Sequence, residues 1–193
     1  GVGGYLDALV QVLPSPTITL PPIDPTMSAM LKWGLEDYAG ASVGGTCTDG
    51  WDAANVRISN DGGSTWNLLN GSDLYDFSYG YGWIYNDSEY DCGGSLEQVA
   101  AGWGGQADWH EVTFDLSSYA GQEVIIQFAF GSDPAYSTLD DGSITGFHVD
   151  NVLVSGSLDC TPENECATVA SGEVWVDQFY DYYDPVAPQP GSN

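Results

Sequence analysis

The chain is nearly devoid of positive charge. Only two side chains are cationic, Lys32 and Arg57, against 28 Asp and Glu residues, and the formal net charge over 193 residues is −26. A surface of this sign repels phosphate backbones and anionic lipid headgroups, which excludes nucleic acid as a partner. Because self-repulsion destabilises a compact acidic protein unless multivalent cations or salt offset it, we expect bound calcium as a structural cofactor.

Long apolar runs are missing as well, and no catalytic motif stands in a suitable structural context. No apolar stretch approaches the roughly 18 residues of a membrane span, so no insertion into a membrane is predicted. The chain begins at Gly1 rather than methionine, and we interpret it as a processed segment of a secreted or cell-surface protein. The H-E-x-x-H and P-loop motifs are absent, and the G-x-S-x-G match at 40–44 falls in a predicted loop, without the strand-to-helix turn that a catalytic serine of this motif needs. His110 and His148 fall in predicted strands, where packing or surface roles are usual. Carboxylate pairs can hydrolyse glycosidic bonds, but any pair is a weak signal among 28 acids, so no enzyme is expected.

Cysteine is also scarce. Four cysteines in a secreted-looking β-protein suggest two disulfides, for which three connectivities exist on paper. We predict that Cys47 pairs with Cys92 and joins two long insertions, and that Cys160 pairs with Cys166 and closes the CTPENEC loop. A metal site built on cysteine is not expected, because neither pair has C-x-x-C spacing and histidine is rare.

A sustained helical stripe is absent, and the apolar residues instead alternate with a period of two. This pattern, with 25 glycines and 10 prolines, predicts an all-β protein with many turns. Segment 146–154 is apolar on both faces near its end, which predicts a central strand between two layers. The turn N-D-G-G at 60–63 predicts a hairpin. The predicted inward-facing positions are Ala29, Leu31, Trp33, Leu35, Ala54, Val56, Ile58, His110, Val112, Phe114, Leu116, Val124, Ile126, Phe128, Phe130, Phe147, Val149 and Leu153.

Both ends of the chain predict extended strands. Residues 1–27 combine an apolar strand, YLDALVQVL, with a proline-rich segment confined to edge strands or extended structure. Residues 157–193 combine a disulfide-clipped linker with a further strand around WVDQFYDYY. Each strand could complete a sheet edge on a neighbouring copy, which generates fibres when the contacts run head to tail, and docking within one chain is the alternative. The candidate self-association residues are Leu9, Val10, Val12, Val174, Trp175, Val176, Phe179 and Tyr180.

Residues 71–107 form a long insertion that is rich in Tyr, Trp, Gly and Asp. Loops of this length are usually functional or disordered, and the aromatic content argues against disorder. Flat aromatic faces beside hydrogen-bond acceptors are typical of surfaces that bind sugar rings. The alternative is that these rings cover the sandwich or contact a protein. The candidate glycan-binding residues are Tyr79, Tyr81, Trp83, Tyr85 and Trp103.

The order of the motifs carries a family resemblance. NVRISNDGGSTWNLL at 55–69 is followed by W-x-x-V-x-x-D-L-S-x-Y-A-G-Q, then by G-S-D-P, D-D-G and G-F-x-V-D-N-V within 108–156. Over about residues 28–156 this pattern resembles the jelly-roll accessory domains of immune-inhibitor-A-type secreted metallopeptidases and, more distantly, MAM-type adhesion domains. The resemblance implies a two-layer antiparallel β-sandwich, secretion and often bound calcium, but no activity.

The resemblance also implies positions for calcium ligands. In the resembled family, acids after the first core strand, in the D-G-W-D loop and on the last strand contribute to the site. The matching positions are Glu36, Asp52 and Asp150, with Asp140, Asp141 and Asn151 as neighbours. No D-x-D-x-D-G loop is present, and the alternative is that these acids are solvated surface.

These observations predict a secreted, non-catalytic, calcium-binding jelly-roll sandwich at 28–156 with extended terminal strands. The expected role is that of a structural or adhesive subunit of an extracellular assembly, whose partners are other copies of the chain or a cell-surface protein. The alternative is a carbohydrate-binding or accessory module of a secreted hydrolase, with a polysaccharide as partner.

Overall fold

The computed structural model describes residues 4–155 and the short backbone segments 158–159 and 167–168. In it, two antiparallel sheets pack against each other, which confirms the predicted β-sandwich. No helix in these segments is long and apolar enough to cross a membrane. The strands are β1 (Val10–Pro14), β2 (Ile18–Thr19), β3 (Thr26–Gly34), β4 (Ala53–Ser59), β5 (Asn67–Leu68), β6 (Gln106–Asp115), β7 (Glu123–Gly131), β8 (Gly146–Val154), β9 (Leu158–Asp159) and β10 (Ala167–Thr168).

One sheet has the strand order β1-β7-β4-β5, with β2 also paired to β7, and the other has the order β6-β3-β8. The predicted period of two is confirmed in β3, β6 and β7, whose predicted inward-facing apolar residues lie in the core between the sheets. The hairpin predicted at N-D-G-G joins β4 to β5, with Ile58 opposite Asn67. Strand β4 is buried on both faces along its whole length, so its alternation does not mark a solvent side.

The predicted central position of segment 146–154 is wrong within the described residues. There β8 pairs only with β3 and forms an edge, while β3 is central. Asp150 lies opposite Met30 but Leu153 lies opposite Ser28, so one extra residue bulges from β8 near Asn151, whose φ is 49°. Because a bulge reverses the alternation, Val149 packs on the core before it and Val152 after it. The bulge explains why segment 146–154 has apolar residues on both faces near its end. Leu153, which was predicted to face inward, is 52% exposed.

The N-terminal segment is part of the sandwich rather than an extension from it. Strand β1 pairs with β7 along its length, and the side chains of Tyr5 and Leu20 are buried in the main core. Docking within one chain is therefore what the structure contains for residues 4–19. Proline is confined to the edge as predicted, since β1 is the outer strand of its sheet. The predicted self-association residues at 174–180 lie outside the described residues.

The insertion is folded, as its aromatic content predicts, and contains one helix, α1 (Tyr81–Asn86), that the sequence pattern did not indicate. Short 3-10 turns follow at Ser88–Tyr90 and Glu97–Val99, and β6 begins at Gln106, inside the predicted insertion. The insertion covers the outer face of β4 and β7 and encloses a second core. The predicted disulfide between Cys47 and Cys92 is present, whereas Cys160 and Cys166 lie outside the described residues. The buried members of the second core are Ala53, Phe77, Trp83, Tyr90, Val99, Ala100 and Ala129.

Candidate metal centre

Three carboxylates from distant parts of the chain converge at one end of the sandwich: Glu36, Asp52 and Asp133. Asp52 immediately precedes β4, and Asp133 lies two residues after β7. Because Ala53 at the start of β4 pairs with Gly131 at the end of β7, both acids lie at the same end of the sheet. Glu36 follows β3 and therefore reaches the cluster from the opposite sheet.

One carboxylate oxygen from each of the three residues lies within 4.8 Å of the other two. Calcium–oxygen bonds are about 2.3–2.6 Å long, so ligand oxygens on opposite sides of one ion are about 5 Å apart. A single ion can therefore contact all three side chains without rearrangement of the backbone. Three carboxylates supply three to six oxygens, and carbonyls or water complete the six to eight that calcium takes.

Of the three carboxylates, Asp52 is the most buried and both of its oxygens accept hydrogen bonds. Its side chain is fully buried, its Oδ2 accepts a hydrogen bond from the Tyr5 hydroxyl, and its Oδ1 accepts one from the Asp133 backbone N–H at 2.8 Å. Asp133 in turn accepts a bond from the Ala135 N–H on Oδ1 at 2.9 Å. The Oε2 atom of Glu36 is buried and has no hydrogen-bond partner in the described part of the chain. Such an orphaned acceptor fits a cation ligand, because burial without a partner is costly.

The electrostatics of the cluster favour a cation. Burial, reinforced by the charges of Asp133 and Asp52, raises the pKa of Glu36 to about 8. Burial also raises the pKa of Asp52 to about 7, against the opposing effect of the Tyr5 hydroxyl, and raises that of Asp133. Neither cationic side chain of the chain compensates: Lys32 lies 3.5 Å from Asp108, and Arg57 is buried under the insertion.

The expected ligands separate into two groups. Glu36 and Asp52 meet in the cluster, whereas Asp140, Asp141, Asp150 and Asn151 do not belong to it. The Asp140 and Asp141 carboxylates accept hydrogen bonds from nearby backbone N–H groups within their own loop, and Asp150 is exposed on β8 and accepts one from Asn151.

Asp133 was not among the expected ligands, although it stands in the G-S-D-P motif that follows β7. Finding it requires the pairing of Ala53 with Gly131, which brings residues far apart in sequence to one sheet end. The signal in the sequence is an acid two residues after a buried strand, and it indicates a site only when β7 is known to pair with β4.

Two of the predicted glycan-binding residues are corrected by the structure. Trp83 and Trp103 are each only 1% exposed, because Trp83 fills the second core and Trp103 stacks on Trp33 at 5.0 Å in the main core. Neither ring has a face available to a sugar. Tyr85 is 48% exposed, and the half-buried Tyr81 lies beside it with ring centroids 5.9 Å apart. Tyr79 is half-buried too.

The chain matches no protein-family model and no curated protein.

Proposed function

We propose that the chain is a non-catalytic, calcium-binding β-sandwich module that acts as a structural or adhesive subunit of an extracellular assembly. The observation that supports calcium is the convergence of Glu36, Asp52 and Asp133 around an orphaned buried oxygen. The Cys47–Cys92 disulfide supports an oxidising, extracellular setting. The resemblance of the motif order to that of secreted accessory domains favours the same setting.

Calcium is the cation that suits this site. Three carboxylates so close together repel one another and lose hydration, and one divalent ion offsets both costs. Two of the ligands come from loop segments after strands and one precedes a strand, an arrangement that tolerates the irregular coordination of calcium better than the octahedron that magnesium demands. Because the ligands come from both sheets, calcium binding would stabilise the folded sandwich.

The cation site adjoins the N-terminal segment. The Tyr5 hydroxyl bonds to Asp52, the Tyr5 ring packs edge-on against Phe130 at 4.7 Å, and the Ala8 N–H donates to the Asp133 carbonyl at 2.6 Å. Strand β1 begins two residues later. Calcium at the cluster would therefore hold the start of β1 in place and define the edge that β1 presents.

That edge is the surface proposed for assembly. Leu9 accepts from the Ser132 N–H and the Ser15 N–H donates to Ile126, so the odd-numbered residues between them direct their backbone groups toward β7. Val10 and Val12 then direct theirs outward, and in the described chain β1 has no neighbour on that side. Both valine side chains are 47% exposed. An extended strand of a neighbouring copy can add to this edge by β-augmentation.

Calcium binding is tested by isothermal titration with calcium or magnesium and by thermal unfolding in calcium or EDTA. We expect one tight calcium site per chain and a higher unfolding temperature in calcium. Glu36→Gln and Asp133→Asn should abolish both effects. Asp150→Asn is the matched control, because Asp150 is a family-derived candidate that lies outside the cluster and is exposed. Loss of binding in Asp150→Asn, with Glu36→Gln unaffected, would place calcium elsewhere.

Assembly is tested by sedimentation and negative-stain microscopy of the purified chain. We expect filaments or large oligomers, and Val12→Pro should reduce them, since proline removes an outward-facing N–H without removing a bond to β7. Val12→Thr keeps that N–H and serves as the control. A monomer under all conditions would refute the structural role while leaving the calcium result intact.

A further inference from the structure

A cavity of about 540 Å³ opens beside the end of β3, next to the metal cluster but lined by other side chains. Its volume lies in the range of about 300–1,000 Å³ that is typical of small-ligand pockets. The floor is apolar and formed by the buried side chains of Trp33, Leu35 and Ile144. The rim is polar and carries two tyrosines, three aspartates and one glutamine: Tyr38, Tyr136, Asp37, Asp76, Asp141 and Gln106.

The two tyrosines are held at the rim in different ways. Tyr38 donates from its hydroxyl to Asp76 Oδ1 at 3.3 Å, and its ring packs against Phe77 with centroids 5.6 Å apart. Tyr136 is 47% exposed and adopts a φ of 63°, a left-handed conformation that is unfavourable for a bulky residue. The backbone thus keeps an aromatic ring at the mouth of a cavity at the expense of local strain.

One wall requires glycine. A Cβ atom on Gly104 would come within 2.9 Å of the Phe77 ring and 3.1 Å of the Tyr38 ring, so a side chain there would displace the tyrosine. The Gly104 N–H donates to Asp76 Oδ2 at 3.1 Å, and its carbonyl accepts from the Trp33 indole at 3.0 Å. Wall and floor are therefore connected by hydrogen bonds before any ligand arrives, which lowers the entropic cost of binding.

The rim supplies oriented hydrogen-bond acceptors. Asp37 Oδ1 accepts from the Ala39 N–H at 2.9 Å, and Asp141 Oδ1 accepts from the Ser143 N–H at 2.8 Å. Each of these bonds orients a carboxylate, and the Ser143 side chain bonds to Asp141 as well. Because a carboxylate has about four acceptor positions, both aspartates can still accept from a ligand hydroxyl. A ligand that fits has apolar faces for the floor and tyrosines, and hydroxyl donors for the carboxylates.

We propose that this cavity binds a neutral carbohydrate, with Tyr136 as a stacking platform and Asp141 as a hydroxyl acceptor. Pyranose rings present both apolar C–H faces and hydroxyl donors. Uronic acids and sulfated sugars are disfavoured by the three rim aspartates and by the net charge of −26. The proposal depends neither on calcium nor on assembly, and it places sugar binding on residues other than the tryptophans that the sequence suggested.

The test is binding to a printed array of neutral and acidic oligosaccharides, followed by titration of the best neutral hit. We expect neutral glycans to be retained, and Tyr136→Ala and Asp141→Asn each to weaken binding at least tenfold. Trp109→Ala is the matched control because Trp109 is 43% exposed, close to the value for Tyr136, but lies on β6 and does not line the cavity. It should bind like the parent chain. Thermal unfolding of each variant checks that the fold is retained.

Three results would overturn the proposal. The first is an array with no neutral glycan retained, and the second is a Tyr136→Ala variant that binds as the parent does. The third is retention of an oligolysine peptide in place of glycans, lost on Asp141→Asn, which would assign the cavity to a cationic protein segment.

Discussion

The guanidinium carbon of Arg57 lies 4.3 Å from the centroid of the Trp83 ring, with both residues buried between β4 and the insertion. Arg57 has no carboxylate partner among the described residues; it donates instead to the Tyr90 hydroxyl at 2.7 Å, the Val99 carbonyl at 3.1 Å and the Asn55 side chain at 2.8 Å. Although the chain is rich in acids, its one arginine donates hydrogen bonds to uncharged groups and stacks on an aromatic ring. Burial lowers the pKa of Arg57, and these contacts offset that cost.

Replacing Arg57 should therefore lower the free energy of unfolding more than replacing an exposed charged residue does. Arg57→Ala leaves a cavity beside Trp83 and removes the donor to the buried Asn55 Oδ1, so we expect a loss of about 3 kcal/mol or more in the free energy of unfolding. Chemical denaturation in calcium measures it. Lys32→Ala is the control, because the 3.5 Å contact of Lys32 with the exposed Asp108 is a surface ion pair that solvent screens, and its loss should change stability little. Equal losses in the two variants would contradict this account.

Helix α1 requires glycine at position 82, because there is no space for a side chain there. Alanine normally stabilises a helix by about 1 kcal/mol relative to glycine. At Gly82, however, a Cβ atom would clash with the backbone carbonyl of Gly131 in β7, and backbone cannot move aside cheaply. We expect Gly82→Ala to lower the unfolding temperature by several degrees. Gly142→Ala, where no atom lies within 4 Å of the new Cβ, should leave it unchanged.

The disulfide ties the insertion to the loop before β4. Cys47 and Cys92 are 45 residues apart, and closing a loop of that length stabilises a fold by about 2–4 kcal/mol through the unfolded state. The double variant Cys47→Ser with Cys92→Ser should lose this amount in chemical denaturation without reductant. Adding a reductant to the parent chain should produce a comparable loss. A double variant as stable as the parent would show that the insertion is held by its own core alone.

The sequence predicted the strands well because alternation is a local property. Val112 and Phe114 face inward for reasons visible within their own segment, and so do Ile126 and Phe128. It predicted the place of β8 poorly because the bulge at Asn151 depends on pairing with β3, which a single strand does not encode.

The candidate site was half predictable for the same reason. Glu36 and Asp52 were implied by the family resemblance, whereas Asp133 requires the order of the strands in the sheet. Trp83 was predicted to bind sugars because its contact with Arg57, on β4, is not visible within its own segment. Composition reveals that an insertion is aromatic. It does not reveal which rings face the strands below.

The carboxylate cluster makes stability depend on pH in a direction opposite to that of most acidic residues. The pKa of Glu36 is raised to about 8 and that of Asp52 to about 7, so the folded state holds more protons than the unfolded chain between the ordinary carboxyl range and those values. Stability from these groups is full below the unfolded pKa and falls as pH rises through the folded one.

In EDTA, the unfolding temperature should therefore fall as the pH is raised from about 5 to about 9, beyond the range in which exposed carboxylates titrate. Calcium binds the deprotonated cluster, so the stabilisation it confers should grow over that range and oppose the fall. Differential scanning calorimetry in matched calcium and EDTA buffers measures both slopes. Glu36→Gln should flatten them together, because it removes the group with the highest pKa and a calcium ligand at once, whereas Asp140→Asn should leave both unchanged. A fall in EDTA that persists in Glu36→Gln would assign it to general charge repulsion at the surface instead of to the cluster.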